Sequence, residues 1–178
     1  MKPLLLMALV LSSAAASAAP QPSKGTLHEG SGSLSFTGGP FTAPNPTSDR
    51  VYLGDTEGRS ILMCEEAAVN CDRYALTVDL PERFRQSAAN KKQVLRISLS
   101  VQEQQPLPLM KPNFHIYVFD ARGTELGRSE FSSFQGSVDA HLDLPLTAVP
   151  NGGYTVTVTG YNGLGASYSA AVDLGNHE

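Results

Sequence analysis

The chain of 178 residues contains no tryptophan, two cysteines and no large excess of either charge. Lysine and arginine number 13 against 17 aspartates and glutamates, which gives a formal net charge of −4 at pH 7. A nucleic-acid-binding domain usually carries a basic patch with aromatic side chains among the basic ones. No such patch is visible in the sequence, so we do not expect nucleic acid to be a partner.

Long apolar runs are missing as well, apart from one near the N-terminus. There, Leu4–Leu11 follows Lys2 and precedes the small residues Ala16–Ala18. A positive residue, a short apolar core and a small-residue cleavage site are typical of a secretory signal peptide, whereas a membrane-spanning helix needs about 18 apolar residues. We therefore expect residues 1–18 to be removed, and the protein to be secreted, periplasmic or at the cell surface, with no membrane span.

The two cysteines, Cys64 and Cys71, are separated by only a few residues. In an exported protein, a closely spaced pair of this kind usually forms a disulfide. A metal site would need further ligands nearby, and the spacing is not that of a thioredoxin-like redox pair. We predict a disulfide between Cys64 and Cys71.

Helical periodicity is weak throughout, and strand patterns dominate the second half of the chain. The strongest predicted strands are Phe114–Asp120 and Tyr154–Tyr161, which are rich in β-branched and aromatic residues and are bounded by turn formers. Alternation of apolar and polar residues predicts further strands at Tyr74–Leu80, Val94–Val101, Thr124–Ser129, Ser137–Leu144 and Ser167–Leu174. Weaker candidates are an edge strand within Gly30–Thr37 and short strands at Val51–Leu53 and Ser60–Cys64.

About seven to nine short strands separated by turn residues predict an all-β fold, an antiparallel β-sandwich of the jelly-roll or immunoglobulin-like type. We assign residues 31–178 to this single domain and residues 19–30 to a flexible spacer. The polar segment Glu82–Lys92 has room for a helical turn but not for a core helix. Asp120 followed by Gly123 predicts a tight hairpin with a left-handed residue at the glycine.

Several short motifs resemble one known family. They are H-I-Y-V-F-D and G-T-E-L-G-R-S within 115–129, V-D-A-H-L-D-L-P at 138–145, N-G-G-Y-T-V-T-V-T-G-Y at 151–161 and the terminal Y-S-A-A-V-D-L at 168–174. With C-D-R-Y-A-L-T-V-D-L-P at 71–81, they resemble the pre-peptidase C-terminal domain family and related jelly-roll modules of secreted bacterial proteins, over roughly 71–174. The resemblance implies an accessory module that acts beside hydrolases in targeting, folding or surface binding rather than in catalysis.

Candidate metal ligands lie around the first strong strand. Asn113 and Asp120 are the nearest oxygen ligands for a cation, with Asp139 and Asp143 on a later strand. Ca²⁺ takes six to eight oxygen ligands. The acidic pair of the family is replaced here by Asn113 and His115, and histidine is a poor Ca²⁺ ligand. We expect no cofactor, with Ca²⁺ at Asn113 and Asp120 as the alternative.

A catalytic arrangement is not expected. Ser129, His141 and Asp143 supply the residue types of a serine hydrolase, but the chain has no G-x-S-x-G nucleophile elbow. We predict that the protein is not an enzyme. A catalytic site would instead place His141 within hydrogen-bond reach of a serine and a carboxylate.

Tyr117, Phe119 and Tyr161 form a candidate binding face, because all three lie opposite the inward residues of their strands. Such aromatic side chains are either an exposed platform for sugar rings or a partner protein, or a minor core beneath the proline-rich loops. The sequence leads to a non-catalytic binding or accessory module at the cell envelope that recognises a glycan or a protein. A structural envelope component and a small secreted hydrolase are the alternatives.

Overall fold

The computed structural model describes residues 19–41, 71–90, 92–102, 114–130, 139–160 and 166–176. The predicted signal peptide and the strand candidates Val51–Leu53 and Ser60–Cys64 lie outside these ranges. Nine strands occur in the described residues: β1 Lys24–His28, β2 Leu34–Gly38, β3 Cys71–Asp79, β4 Gln93–Gln102, β5 Phe114–Asp120, β6 Glu125–Glu130, β7 Asp139–Pro145, β8 Gly152–Gly160 and β9 Ser167–Asn176. One helix, α1 Glu82–Asn90, follows β3, and a short 3₁₀ turn, Leu146–Ala148, follows β7.

The strands form two sheets. Five strands lie in the order β1-β3-β8-β5-β6, and four lie in the order β2-β9-β4-β7. Neighbouring strands are antiparallel throughout, except that β1 runs parallel to β3. The predicted all-β antiparallel sandwich is confirmed, and β2 lies at the edge of its sheet, as expected.

The hydrophobic core lies between the two sheets. Alternate residues of each strand point inward, so that Tyr74, Leu76 and Val78 of β3 are buried while their neighbours are exposed. An aromatic contact joins the sheets, since the rings of Phe36 and Tyr74 stack with centroids 4.1 Å apart. Each large apolar side chain removed from water in this way contributes about 1.5–3 kcal/mol.

Strand β1 corrects the predicted spacer at 19–30. Lys24–His28 pairs along β3, Leu27 is fully buried, and Gln21 pairs with Thr37 of β2. The segment K-G-T-L-H has one large apolar residue and gives no strand pattern by itself. Its conformation depends on the backbone groups that the edge of β3 offers.

Helix α1 lies over one end of the sandwich and is fixed there by polar contacts. Phe84 packs half-buried against the core, as expected of a polar segment with one large apolar residue. Arg85 donates hydrogen bonds to the carbonyl of Val149 at 2.9 Å and to Oδ1 of Asn151 at 2.8 Å. Asn151 in turn accepts a hydrogen bond from the N–H of Leu80 and donates one to its carbonyl. The helix is thereby tied to the end of β3 and to the segment just before β8.

The predicted hairpin between β5 and β6 is confirmed. The N–H of Gly123 bonds to the carbonyl of Asp120 at 3.0 Å, and the N–H of Asp120 bonds to the carbonyl of Thr124 at 2.9 Å. Gly123 has a φ of 80°, a conformation that glycine adopts at little cost.

Candidate binding groove

Asp120, one of the two candidate metal ligands, closes the β5–β6 turn. Its Oδ1 accepts hydrogen bonds from the backbone N–H groups of Thr124 at 2.8 Å and Arg122 at 2.9 Å, and its Oδ2 lies 3.2 Å from the Arg122 guanidinium. The Thr124 hydrogen bond, followed by those from Arg122, lowers the pKa of the Asp120 carboxyl. Asn113 lies outside the described residues. Within the described ranges, no group of three or more His, Cys, Asp or Glu side chains could hold a metal ion.

The candidate aromatic face is not the exposed platform that one reading of the sequence expected. Tyr117 is 0% exposed, and Phe119 is half-buried with its ring stacked on that of Tyr117, centroids 6.4 Å apart. Tyr161 lies outside the described residues. Strand β5 lies between β8 and β6, and Thr157 beside Tyr117 is buried too. Tyr117 therefore belongs to a minor core, which was the other of the two interpretations of the sequence.

His115 shares this buried outer face of β5. It is 5% exposed, and its Nδ1 lies 3.4 Å from the hydroxyl of Tyr117. Burial, and then the positive charge of Arg128, lowers the pKa of His115 from 6.5 to about 4. The imidazole is thus neutral near pH 7, as a structural histidine in a covered position would be.

A polar contact inside the core joins the two sheets and was not anticipated. Oδ2 of Asp72, on β3, accepts hydrogen bonds from the Tyr168 hydroxyl at 2.9 Å and from the N–H of Gly39 at 3.0 Å. Burial, with the Asp72 carboxylate second, raises the pKa of Tyr168. A Cβ at Gly38 would collide with both the Asp72 carboxylate and the Tyr168 hydroxyl, so glycine is required there. This cluster has a structural role.

A groove of about 700 Å³ lies on the outer face of the four-stranded sheet. Its lining comes from all four strands of that sheet. The outward-facing side chains that line it are those of Ser35, Thr37, Arg96, Ser98, Ser100, His141, Ser169 and Ala171. All of these are half-buried or exposed.

Strand register arranges the groove in rows. Ser35, Ala171, Ser98 and His141 lie side by side across β2, β9, β4 and β7. The next row holds Thr37, Ser169 and Ser100 in the same strand order from β2 to β4. Neighbouring strands are about 4.8 Å apart, so the side chains of a row follow one another at that spacing, and all of them except His141 are short. The groove exists because these outward positions carry small residues.

Arg96 lies in the third row, between Asp143 of β7 and Asp173 of β9, and is held by Asp143. Its Nε lies 2.8 Å from Oδ1 of Asp143 and its Nη2 lies 2.7 Å from Oδ2. This two-point contact is half-buried, which makes it stronger than an exposed ion pair. The Asp143 carboxylate therefore compensates the charge of Arg96.

The three residues of the hydrolase alternative do not assemble. Ser129 lies on β6 of the five-stranded sheet, whereas His141 faces outward from β7 of the other sheet. The serine directly opposite His141 is Ser98. In the described part of the chain, no hydrogen bond joins that imidazole to a serine, and Asp143 is bound to Arg96.

Sequence reasoning missed the groove, although the necessary pattern is present. The outward positions of β4 and β9 include Ser98, Ser100, Ser169 and Ala171, where an exposed strand usually carries long polar side chains. A run of small residues at alternate positions on two strands would have indicated a recessed face. What it could not show is that β4 and β9 are neighbours.

The fold and the groove define a class: an antiparallel β-sandwich with a recess on one outer face. Comparison of the sequence with protein-family models and with curated proteins found no match. Within the described residues, no helix is long and apolar enough to cross a membrane. Cys71 begins β3, but Cys64 lies outside the described residues, so the disulfide stays a prediction.

Proposed function

We propose that the protein is a non-catalytic binding module whose ligand lies in the groove of the four-stranded sheet. The observation that carries this proposal is a recess of about 700 Å³ whose outward lining consists of serine, threonine and alanine side chains together with Arg96 and His141. Ligand sites typically have volumes of about 300–1,000 Å³ and a few convergent polar groups. The groove meets both criteria.

Two features of the sequence support a role outside the cytoplasm. One is the predicted signal peptide at residues 1–18, and the other is the resemblance to accessory modules of secreted bacterial proteins. The partner would then be a carbohydrate or a protein of the cell envelope or its surroundings. A hydrolase is not favoured, because Asp143 binds Arg96 rather than His141.

The test is to fill the groove and measure binding. Ser98 lies in the middle of the lining, on a central strand, so Ser98→Trp places an indole where the ligand would lie. The matched control is Thr77→Trp, an exposed outward position on β3 of the other sheet. Binding would be measured by co-sedimentation of the purified protein with insoluble polysaccharides and with envelope preparations.

We expect Ser98→Trp to abolish binding and Thr77→Trp to retain it. Circular dichroism would establish that both variants are folded. Equal binding by the two variants would contradict the groove as the site.

A further inference from the structure

We infer that the groove takes a neutral, linear polysaccharide lying across the strands. This inference rests on the proposed function, because it names the ligand class of the same site. It depends on three properties of the lining: its hydroxyl groups, its charge balance and the pairing of the backbone beneath it.

Hydroxyl groups are the commonest polar groups among the outward side chains that line the groove. Five of its outward side chains are serine or threonine: Ser35, Thr37, Ser98, Ser100 and Ser169. Each hydroxyl donates one hydrogen bond and accepts others. Sugar hydroxyls have the same dual capacity, so each can pair with such a side chain in either direction. The row of Thr37, Ser169 and Ser100 places a hydroxyl-bearing side chain on each of three neighbouring strands, so successive sugars lying across the strands would meet such a side chain.

The charge balance favours an uncharged ligand. The Arg96 guanidinium is matched by the Asp143 carboxylate through two contacts of 2.7 and 2.8 Å. A sulfate or carboxylate of an acidic polymer would have to compete with Asp143 for the arginine. A neutral polymer needs no such exchange.

The paired backbone argues against a peptide. An extended peptide brings its own N–H and C=O groups, which must find partners when they lose water. Peptide-binding sheets usually supply these partners from a free strand edge. On this face the central strands β4 and β9 are paired on both sides, so the floor offers side-chain groups rather than free backbone groups.

The experiment is calorimetric titration of the purified protein with three probe sets. The first set is neutral hexasaccharides of glucose, xylose, mannose and N-acetylglucosamine. The second is acidic oligosaccharides such as oligogalacturonate, and the third is an uncharged extended peptide. Each set is titrated into the unchanged protein, Ser98→Trp, Thr77→Trp and the double variant Ser98→Ala/Ser100→Ala.

We expect a neutral hexasaccharide to bind, and Ser98→Trp to abolish its binding while Thr77→Trp does not. Loss of two hydroxyls in the double variant should weaken binding by about 2- to 10-fold for each hydrogen bond removed. Groove-dependent binding of the acidic or peptide probe alone would overturn this inference and leave the proposed function standing. Binding of no probe, or binding that Ser98→Trp leaves unchanged, would count against both.

Discussion

The two sheets of the sandwich present very different outer faces. On the five-stranded sheet, outward side chains of β5 and β8, namely His115, Tyr117 and Thr157, are buried, although those of β3 are exposed. On the four-stranded sheet, the corresponding positions hold small residues such as Ser98 and Ala171 around an open groove. Aromatic content would have selected the first face as the binding surface. The open groove lies on the second face, so the small size of the outward side chains indicates a binding surface better than aromatic character does.

The largest loss of stability is expected from a substitution on the covered face, which is the buried outer face of β5. Tyr117→Ala removes a fully buried ring, and large-to-small substitutions of this kind cost about 3–5 kcal/mol because a cavity remains. We expect this loss in the free energy of unfolding, measured with a denaturant. Ser98→Ala on the groove should change the same quantity by less than about 0.5 kcal/mol. A small effect of Tyr117→Ala would show that the two faces do not differ in burial.

The pH dependence of stability should also report the covered face. The pKa of His115 is lowered from 6.5 to about 4 in the folded protein, so the unfolded chain binds the proton more readily. The contribution of neutral His115 to the free energy of unfolding is fully present above pH 6.5. It is lost as the pH falls toward 4, and the loss reaches up to about 3 kcal/mol. The free energy of unfolding at several pH values would show this slope, and His115→Gln should flatten it between pH 4 and 6.5. An unchanged slope would mean that other groups cause the pH dependence.

A moderate loss of stability is expected from a substitution in the contact between the two sheets. Tyr168→Phe removes the hydroxyl that donates to Asp72 and leaves a buried carboxylate with one fewer donor. Hydrogen bonds to charged groups contribute about 1.5–3 kcal/mol, and we expect a loss of that order. Denaturant unfolding of Tyr168→Phe, beside Tyr74→Phe as a control in the same core, measures it. If the loss is no larger than that of the control, the hydrogen bond between Tyr168 and Asp72 does not stabilise the packing of the two sheets.

The smallest effect on stability should come from the groove itself. Asp143→Asn removes the carboxylate that binds Arg96, although Asp173 remains directly opposite Arg96 on β9, and we expect a loss of about 1 kcal/mol. The more informative result is a change in ligand preference. With one negative charge fewer beside Arg96, acidic oligosaccharides should bind better than they do to the unchanged protein. Calorimetric titration would detect this, and an unchanged preference would show that Arg96 does not face the ligand.

Local pattern was sufficient to predict most of the described strands. Alternation identified β3, β4, β7 and β9 to within a few residues, because each strand has one face in the core. Turn chemistry predicted the β5–β6 hairpin through Asp120 and Gly123, since both the capping carboxylate and the left-handed glycine act within a few residues. These features need no knowledge of the rest of the chain.

The errors share one origin. Lys24–His28 becomes a strand only because β3 offers it a free edge, and Tyr117 is buried although its neighbours along the chain do not show what covers it. The Asp72–Tyr168 contact joins residues 96 positions apart in the chain. Contacts between residues that are far apart in the chain cannot be predicted from the pattern of a short segment.

The sequence by itself determined the alternation of each strand, the main hairpin and the all-β class, because these follow from local backbone preferences and from the separation of apolar and polar side chains. Only the tertiary structure decided which outer face is covered and which is open. Strand order brings Ser35, Ala171, Ser98 and His141 into one row from distant parts of the chain. A groove depends on that adjacency, which is a property of how the strands pair rather than of any one segment.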